Sequence, residues 1–307
     1  MGSERVYGSQ VFSCLRGGSC AVVDRQSPQF SPELDTQCFV QAGRWMVVLH
    51  HQSHKALHGP RTSVELFPAS EFFSVHDEAA LLPNRLPLAA EEQMAFAVSL
   101  AYDPLTDCLA VGCNGREYQS RIYLYTGFAA NTPQLRSTID LHALGKLRPS
   151  GMAFVAGQLW VASYDSGRVS VFDNLLRQAR LVSQATDFLA PIGLCGLQGR
   201  AYVSSHVGHA LFALEQQGPS IRREQISTPA DGLAFPWGLD AAGSDATDAA
   251  GHNTLLVANL NLDEAAQSAE SWIACFEKHE GRWQSTRIDL DGRASLRGMS
   301  MLSYAIN

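Results

Sequence analysis

Charge is scarce in this chain. Asp, Glu, Lys and Arg make up 17% of its 307 residues, against a usual proportion of about 25%. The 30 acidic residues exceed the 23 basic ones, giving a net charge of −7, and no block of Lys or Arg occurs, which argues against a nucleic-acid-binding surface. Long apolar runs are missing too: none approaches the roughly 20 residues of a membrane-spanning helix. The opening MGSERVYGSQ has no apolar stretch of the signal-peptide kind, and Val6 stands where a myristoylation pattern needs Ser or Thr. Paired cysteines are lacking. The seven are odd in number and none are spaced C-x-x-C, so reduced thiols packed as small apolar residues are expected. These absences predict a monomeric cytoplasmic protein that binds neither membrane nor nucleic acid.

Two catalytic signatures are also absent. There is no serine-hydrolase elbow, and the glycines form isolated turns without the strand–G-x-G-x-x-G–helix context of a dinucleotide site. What is abundant is apolar residues, 46% of the chain, enough for a large core.

Those residues fall into repeats. Pro149-Ser150-Gly151-Met-Ala-Phe is followed by GQLWVAS, ending at Ser163, and by RVSVFD. Pro191-Ile192-Gly193 leads to RAYVSS, ending at Ser205, then ALFAL. Pro236-Trp237-Gly238 leads to LLVAN, ending at Asn259, then WIACF. Looser copies precede them: AVSLAYDPLTDCLAVGC ends at Cys113 and is followed by RIYLY, and RWMVVLH ends near His50 and is followed by VELF. The runs are short, rich in β-branched and aromatic residues, and bounded by Gly, Asp, Asn or Pro, which marks strands. A more polar, alternating run closes each unit, as in QLRSTIDL, ARLVSQATDF, IRREQIST and RWQSTRIDL, as an outer strand should. A last copy starts at Leu296-Arg297-Gly298. Six units in 307 residues give about 51 residues each, near the per-blade period of propellers. The expected fold is therefore all-β: a single domain over 1–307, a six-bladed β-propeller with four-stranded antiparallel blades. Its ring would be closed by strands from both termini, with VYGSQVFSCL and CAVVD completing the sixth blade. Helical periodicity is confined to EEQMAFAV and DEAAQSAES.

The phrase P-x-G-hydrophobic-x-aromatic, G-x-L-W/Y-V-A, G-R-V-x-V-F-D resembles the NHL-repeat and senescence-marker/gluconolactonase propellers, best over 149–174 and more loosely over 95–277. The resemblance implies a six-bladed propeller whose members include lactonases and lyases. Its lactonase branch implies a central divalent metal held by one Glu, two Asn and one Asp, at the middle of P-x-G or at the end of the second strand. Here the first set reads Ser150, Ile192, Trp237 and Arg297, with Asp35, Thr36 or Gln37 in the first unit. The second reads His50, Cys113, Ser163, Ser205 and Asn259. Of these, Asn259 alone matches the implied ligands. The lyase branch implies three histidines from alternate blades, where this chain offers His50, Ser163 and Asn259.

Repeat symmetry places the loops after the second strands, and those before the first strands, around one mouth of the channel. That brings together His50, His51, Cys113, Asn114, Ser163, Tyr164, Ser205, His206, Asn259, Trp237 and Arg297, a mixture of aromatic and polar groups of the kind that lines small-molecule pockets. Imidazoles are concentrated there: LHHQSHKALHGP carries four, and SSHVGH carries His206 and His209 in a unit three steps away. His50, His51, His206 and Tyr164 are candidates for proton transfer, and His50 with His206 for holding one divalent metal ion. Cys113, Asn114, Ser163, Ser205, Trp237, Asn259 and Arg297 are candidates for substrate contact. Each has a structural alternative: a buried thiol for Cys113, a capping indole for Trp237, hydrogen bonds to loop carbonyls for the histidines. Two functions compete. One is an enzyme acting on a small molecule by acid–base chemistry, through lactone or ester hydrolysis or a lyase or cyclisation step. The other is a propeller that binds a protein or glycan on its top face. An open polar funnel favours the first, and a channel plugged by apolar side chains favours the second.

Overall fold

The computed structural model describes residues 11–15, 19–23, 34–52, 62–72, 86–89, 96–114, 119–145, 147–242, 254–263 and 268–289. They form a propeller of four-stranded antiparallel sheets. Blade I is β3 (Leu34–Ala42), β4 (Trp45–Gln52), β5 (Thr62–Pro68) and β6 (Leu86–Pro87). Blade II is β7 (Ala97–Asp103), β8 (Cys108–Cys113), β9 (Arg121–Thr126) and β10 (Gln134–Asp140). Blade III is β11 (Pro149–Val155), β12 (Gln158–Ser163), β13 (Arg168–Asp173) and β14 (Arg180–Ala185). Blade IV is β15 (Pro191–Leu197), β16 (Arg200–Ser205), β17 (Ala210–Gln217) and β18 (Ser220–Gln225). Blade V is β19 (Pro236–Ala242), β20 (Thr254–Asp263), β21 (Ser268–His279) and β22 (Arg282–Asp289). In each, the strands pair in chain order.

Burial follows the sequence pattern. Strand β8 is buried throughout, and β12 and β16 are buried after their first residue, because a second strand is covered on both faces by neighbouring blades. The polar fourth strands β10 and β18 are largely exposed. Four apolar cores fill the gaps between consecutive blades, represented by Leu49 with Val111, Leu124 with Val161, Val171 with Val203, and Leu211 with Val257. The first strands pack side by side in the order β3, β7, β11, β15, β19.

That close approach explains the P-x-G phrase. A Cβ on Gly151 would sit 1.9 Å from the Ile192 carbonyl oxygen, and one on Gly193 would sit 2.8 Å from the Leu239 backbone nitrogen. At the same point every first strand shifts register against its partner, after Thr36↔His50, Ala97↔Cys113, Pro149↔Ser163, Pro191↔Ser205 and Pro236↔Asn259. This bulge bends the strand entrance where neighbouring backbones touch. The pairing also fixes His50, rather than a neighbour, as the repeat equivalent of Ser163.

The described residues hold five four-stranded blades, not the six expected. The last repeat starts at residue 296, outside the described residues. Its proposed N-terminal partners are present as a separate two-stranded antiparallel sheet, β1 (Val11–Leu15) with β2 (Ser19–Val23), running from Val11↔Val23 to Leu15↔Ser19. The helical expectation at DEAAQSAES is also corrected. Asp263 pairs with Ser268 and Asn261 with Glu270, because hairpin pairing carried out of the blade core overrides a weak local preference. Most of EEQMAFAV lies outside the described residues, and its end enters β7.

Candidate ligand-binding site at the channel mouth

The five first strands line a central cavity of about 850 Å³. Inner-strand side chains such as Val40, Leu100, Met152 and Leu194 line its depth. Its mouth carries Asn114, Arg148, Ser150, Tyr164, Asp165 and Trp237, and Asp240 lies further in. Asn114, Tyr164 and Asp165 follow second strands, while Arg148 and Trp237 lie at the entrance to first strands. These are the two loop types that repeat symmetry assigns to one face.

The wall is polar at defined points. Arg148 Nη1 donates to Asp165 Oδ2 at 2.8 Å, and both side chains are partly exposed. Asn114 is anchored through its backbone, its N–H donating to the Phe96 carbonyl and its own carbonyl accepting from the Ser120 hydroxyl. Its side-chain Oδ1 is buried with no hydrogen-bond partner among the described residues. The Ser150 hydroxyl lies within hydrogen-bonding distance of the carbonyls of Ala162 and Pro191, at 3.1 and 2.7 Å, so it ties blade III to blade IV.

Beside this mouth runs a chain of rings. Tyr164 faces His206 at 6.1 Å between centroids, His206 meets Trp237 edge-on at 5.1 Å and Phe235 at 5.3 Å, and Phe235 meets His209 at 4.5 Å. The Phe235 N–H donates to His209 Nδ1 at 3.0 Å, which holds Phe235 in a left-handed backbone conformation, φ 43°. His206 therefore stands behind Tyr164 and Trp237, outside the cavity wall. Burial holds its imidazole below the ordinary histidine range, opposed in part by the backbone of Pro236 and Phe235. Its Nδ1 is buried without a hydrogen-bond partner among the described residues.

The other candidate positions separate sharply. Cys113 packs into the core between blades I and II, and burial pushes its thiol up to about 12, so it is a protonated core group and not a thiolate. Ser163 and Ser205 are 1% exposed and Asn259 is 0% exposed. The Ser163 hydroxyl accepts the Arg148 N–H, the Ser205 hydroxyl donates to the Leu189 carbonyl, and Asn259 Oδ1 accepts the Ala234 N–H while its Nδ2 donates to the Val257 carbonyl. All three tie down the segment entering the first strand of their own blade. A buried polar group at a strand end needs such a partner, and the incoming loop supplies it. His50 and His51 lie in β4, but their side chains, and the whole of Arg297, fall outside the described residues. The expected His50–His206 metal pair thus has one member, His50, whose side chain lies outside the described residues.

The metal set implied by the gluconolactonase resemblance does not fit. Asn259, the one matching residue, has both amide atoms committed to the backbone. Among the described residues no group of three or more His, Cys, Asp or Glu side chains converges. Reasoning from repeats found Asn114, Tyr164 and Trp237 on the wall but missed Arg148, Asp165 and Asp240. The signal for Arg148 was its place directly before Pro149, in a loop type already assigned to the mouth. Asp165 opens the run Asp165-Ser166-Gly167, which by composition marks only a turn.

No protein-family model matches the chain, and no curated protein matches it in sequence. Solved structures do match in fold. The chain resembles a nidogen/laminin complex at 10% identity, covering 96% of this chain and 95% of that one, with a TM-score of 0.64. A streptogramin B lyase matches at 12% identity, 94% and 86% coverage and a TM-score of 0.56. A putative 6-phosphogluconolactonase from Bacteroides uniformis matches at 12% identity, 81% and 69% coverage and a TM-score of 0.51. The structural neighbours are β-propellers, and at these identities the likeness concerns the fold.

Proposed function

We propose that this chain is a small-molecule enzyme that works in the mouth of its central channel by acid–base chemistry, as a hydrolase of lactones or esters or as a lyase or cyclase. The observation that carries the reading is the open cavity of about 850 Å³. Among the described residues, its mouth is walled by a phenol, an indole, an amide and an ion pair rather than plugged by apolar side chains. Tyr164 is the proton-handling group on the wall. His206, kept neutral by burial, backs it as a positioning residue. The similar structures include a lyase and a putative lactonase, in keeping with this class of chemistry on this fold. The whole ring is read as six-bladed, with β1 and β2 joined by the C-terminal strands.

The position of His206 behind the wall favours a second reading, in which the same mouth binds its ligand without turnover. One experiment separates them: turnover of a panel of aryl lactones and esters by the full chain and by Tyr164→Phe, with Asn259→Ala as a stability control. General acid–base groups contribute about 10²–10⁴-fold, so Tyr164→Phe is expected to lose activity on that scale with an unchanged melting temperature. Asn259→Ala is expected to lower stability by about 1–3 kcal/mol, because it strips two buried hydrogen bonds, and to keep turnover per folded molecule. Full activity in Tyr164→Phe would remove the phenol from the mechanism. Saturable binding without any turnover would favour the binder.

A further inference from the structure

Apolar surface lies exposed on the mouth face between blades III and IV. Tyr164, which follows β12, is 39% exposed. Leu189, on the segment entering β15, is 61% exposed, and Val207, in the turn between β16 and β17, is 49% exposed. Backbone bonds bring the three segments together. The Phe188 N–H donates to the Gly167 carbonyl at 3.1 Å, the Val207 N–H to the Leu189 carbonyl at 3.3 Å and the His206 N–H to the Ala190 carbonyl at 2.9 Å. The Ser205 hydroxyl also donates to the Leu189 carbonyl. A Cβ on Gly208 would lie 3.4 Å from the Leu189 Cβ, so the last two segments are in contact. The apolar side chains are therefore mounted on a bonded rim.

That rim is continuous with the cavity. Tyr164 belongs to both: it lines the channel and, through its ring contact with His206 at 6.1 Å, adjoins the turn that carries Val207. Deeper in the channel the wall is apolar again at Met152 and Leu194. Asn114, Ser150 and the Arg148–Asp165 pair thus form a polar belt between two apolar zones. Contiguous exposed apolar surface marks a contact site. A stable protein interface takes roughly 20–30 residues a side. Among the described residues, the mouth loops of blades III and IV expose only these three large apolar side chains, bordered along the chain by exposed Thr186, Asp187 and His209. Such a surface fits one arm of a molecule already seated in the channel.

Building on the small-molecule reading above, we infer that the ligand is amphiphilic: a flat head with polar groups enters the channel mouth, and a short alkyl or acyl arm leaves it between blades III and IV to lie on Tyr164, Leu189 and Val207. The arm gains affinity by removing apolar surface from water on ligand and protein alike. Leu189 and Val207 set the preference for arm length, while the polar belt holds the head.

The test uses three probes with one head and arms of rising length: the N-methyl, N-butyl and N-hexyl amides of 4-hydroxybenzoic acid. Amides are chosen over esters so that the titration reads binding and not ester turnover. Each is titrated calorimetrically into the full-length protein at neutral pH. A fully buried methylene is worth roughly fourfold in affinity. An arm covered on one side is expected to gain about twofold per methylene, or roughly eightfold from the methyl to the butyl amide. Leu189→Ser combined with Val207→Ser should flatten this rise and leave binding of the N-methyl amide unchanged. Leu105→Ser, in the turn between β7 and β8 on the opposite face and 89% exposed, should leave the rise intact. Melting temperatures of the variants confirm folding. A rise that survives in the double variant would put the arm inside the channel and overturn the inference while leaving a small-molecule site in place; so would equal affinity for the three probes. Absence of binding by all three would overturn it as well, and, together with no turnover of the lactone and ester panel, would remove the small-molecule reading too.

Discussion

His206 shows how one side chain serves the mouth without touching the cavity. Its imidazole is packed among Tyr164, Phe235 and Trp237, and burial favours its neutral form. In the unfolded chain the same group titrates near 6.5. The unfolded state therefore binds more protons at mildly acidic pH, and stability rises with pH across this range. The contribution is present above about 6.5 and is lost as pH falls through the lower folded value. Urea melts at pH 5 and pH 7.5 check this: His206→Gln should flatten the pH dependence that the unmodified protein shows. The partner in sequence reasoning, His50, was located by repeat counting alone, and the strand register agrees with that placement. Burial was not legible. Nothing in the order of residues distinguishes Asn114, on the cavity wall, from Cys113, in the core beside it, until the direction of each side chain at a bulged strand end is known.

At the scale of the element, the strands were largely readable because apolar, β-branched runs recur with the same punctuation. The outer strands were readable because polarity alternates along them. The bulge in each first strand was not, since it comes from neighbouring blades pressing together. Blade II shows how residues trade volume at that point. Ser99 stands where blades III and IV have Gly151 and Gly193, and it faces Gly112, whereas Gly193 N–H donates to Ser204 on its partner strand. A second local device joins the two hairpins of that blade. Asp107, with φ 52°, accepts the Tyr102 hydroxyl and the N–H groups of Gly127 and Ala129. Asp107→Ala removes all three and is expected to cost about 2–3 kcal/mol, the scale of bonds to an ionised acceptor. Asp107→Asn should recover part of it, since Asn also tolerates a left-handed backbone. Chemical denaturation measures both, and amide exchange should show the loss concentrated in β8 and β9.

For the whole molecule, the propeller class followed from the repeats, and the number of blades is where counting and description part. Five blades are described, with β1 and β2 as a separate pair. If that pair completes a sixth blade, deleting residues 1–24 opens a sheet edge that closure would have removed. The truncated protein should then melt in one cooperative transition at a clearly lower temperature. An unchanged melting temperature would leave the ring without an N-terminal clasp. The candidate site was legible to a smaller degree than the fold: repeats say which residues share a rim, whereas Arg148, Asp165 and Asp240, also on the cavity wall, are not marked by the repeat.

The four cores between blades also set a schedule for the growing chain. Each core needs two consecutive sheets, so every new blade offers a bare apolar face until the next has been made. Pro149 and Pro191 are 42 residues apart, and Pro191 and Pro236 are 45 apart; at ribosomal speeds of about 5–20 residues per second, either gap lasts roughly 2–9 s. From Thr36 to Ala97 the separation is 61 residues. Of the faces buried in these four cores, that of blade I is thus left uncovered longest during translation, and there the nascent protein is most open to aggregation, and to chaperone capture, before blade II has emerged.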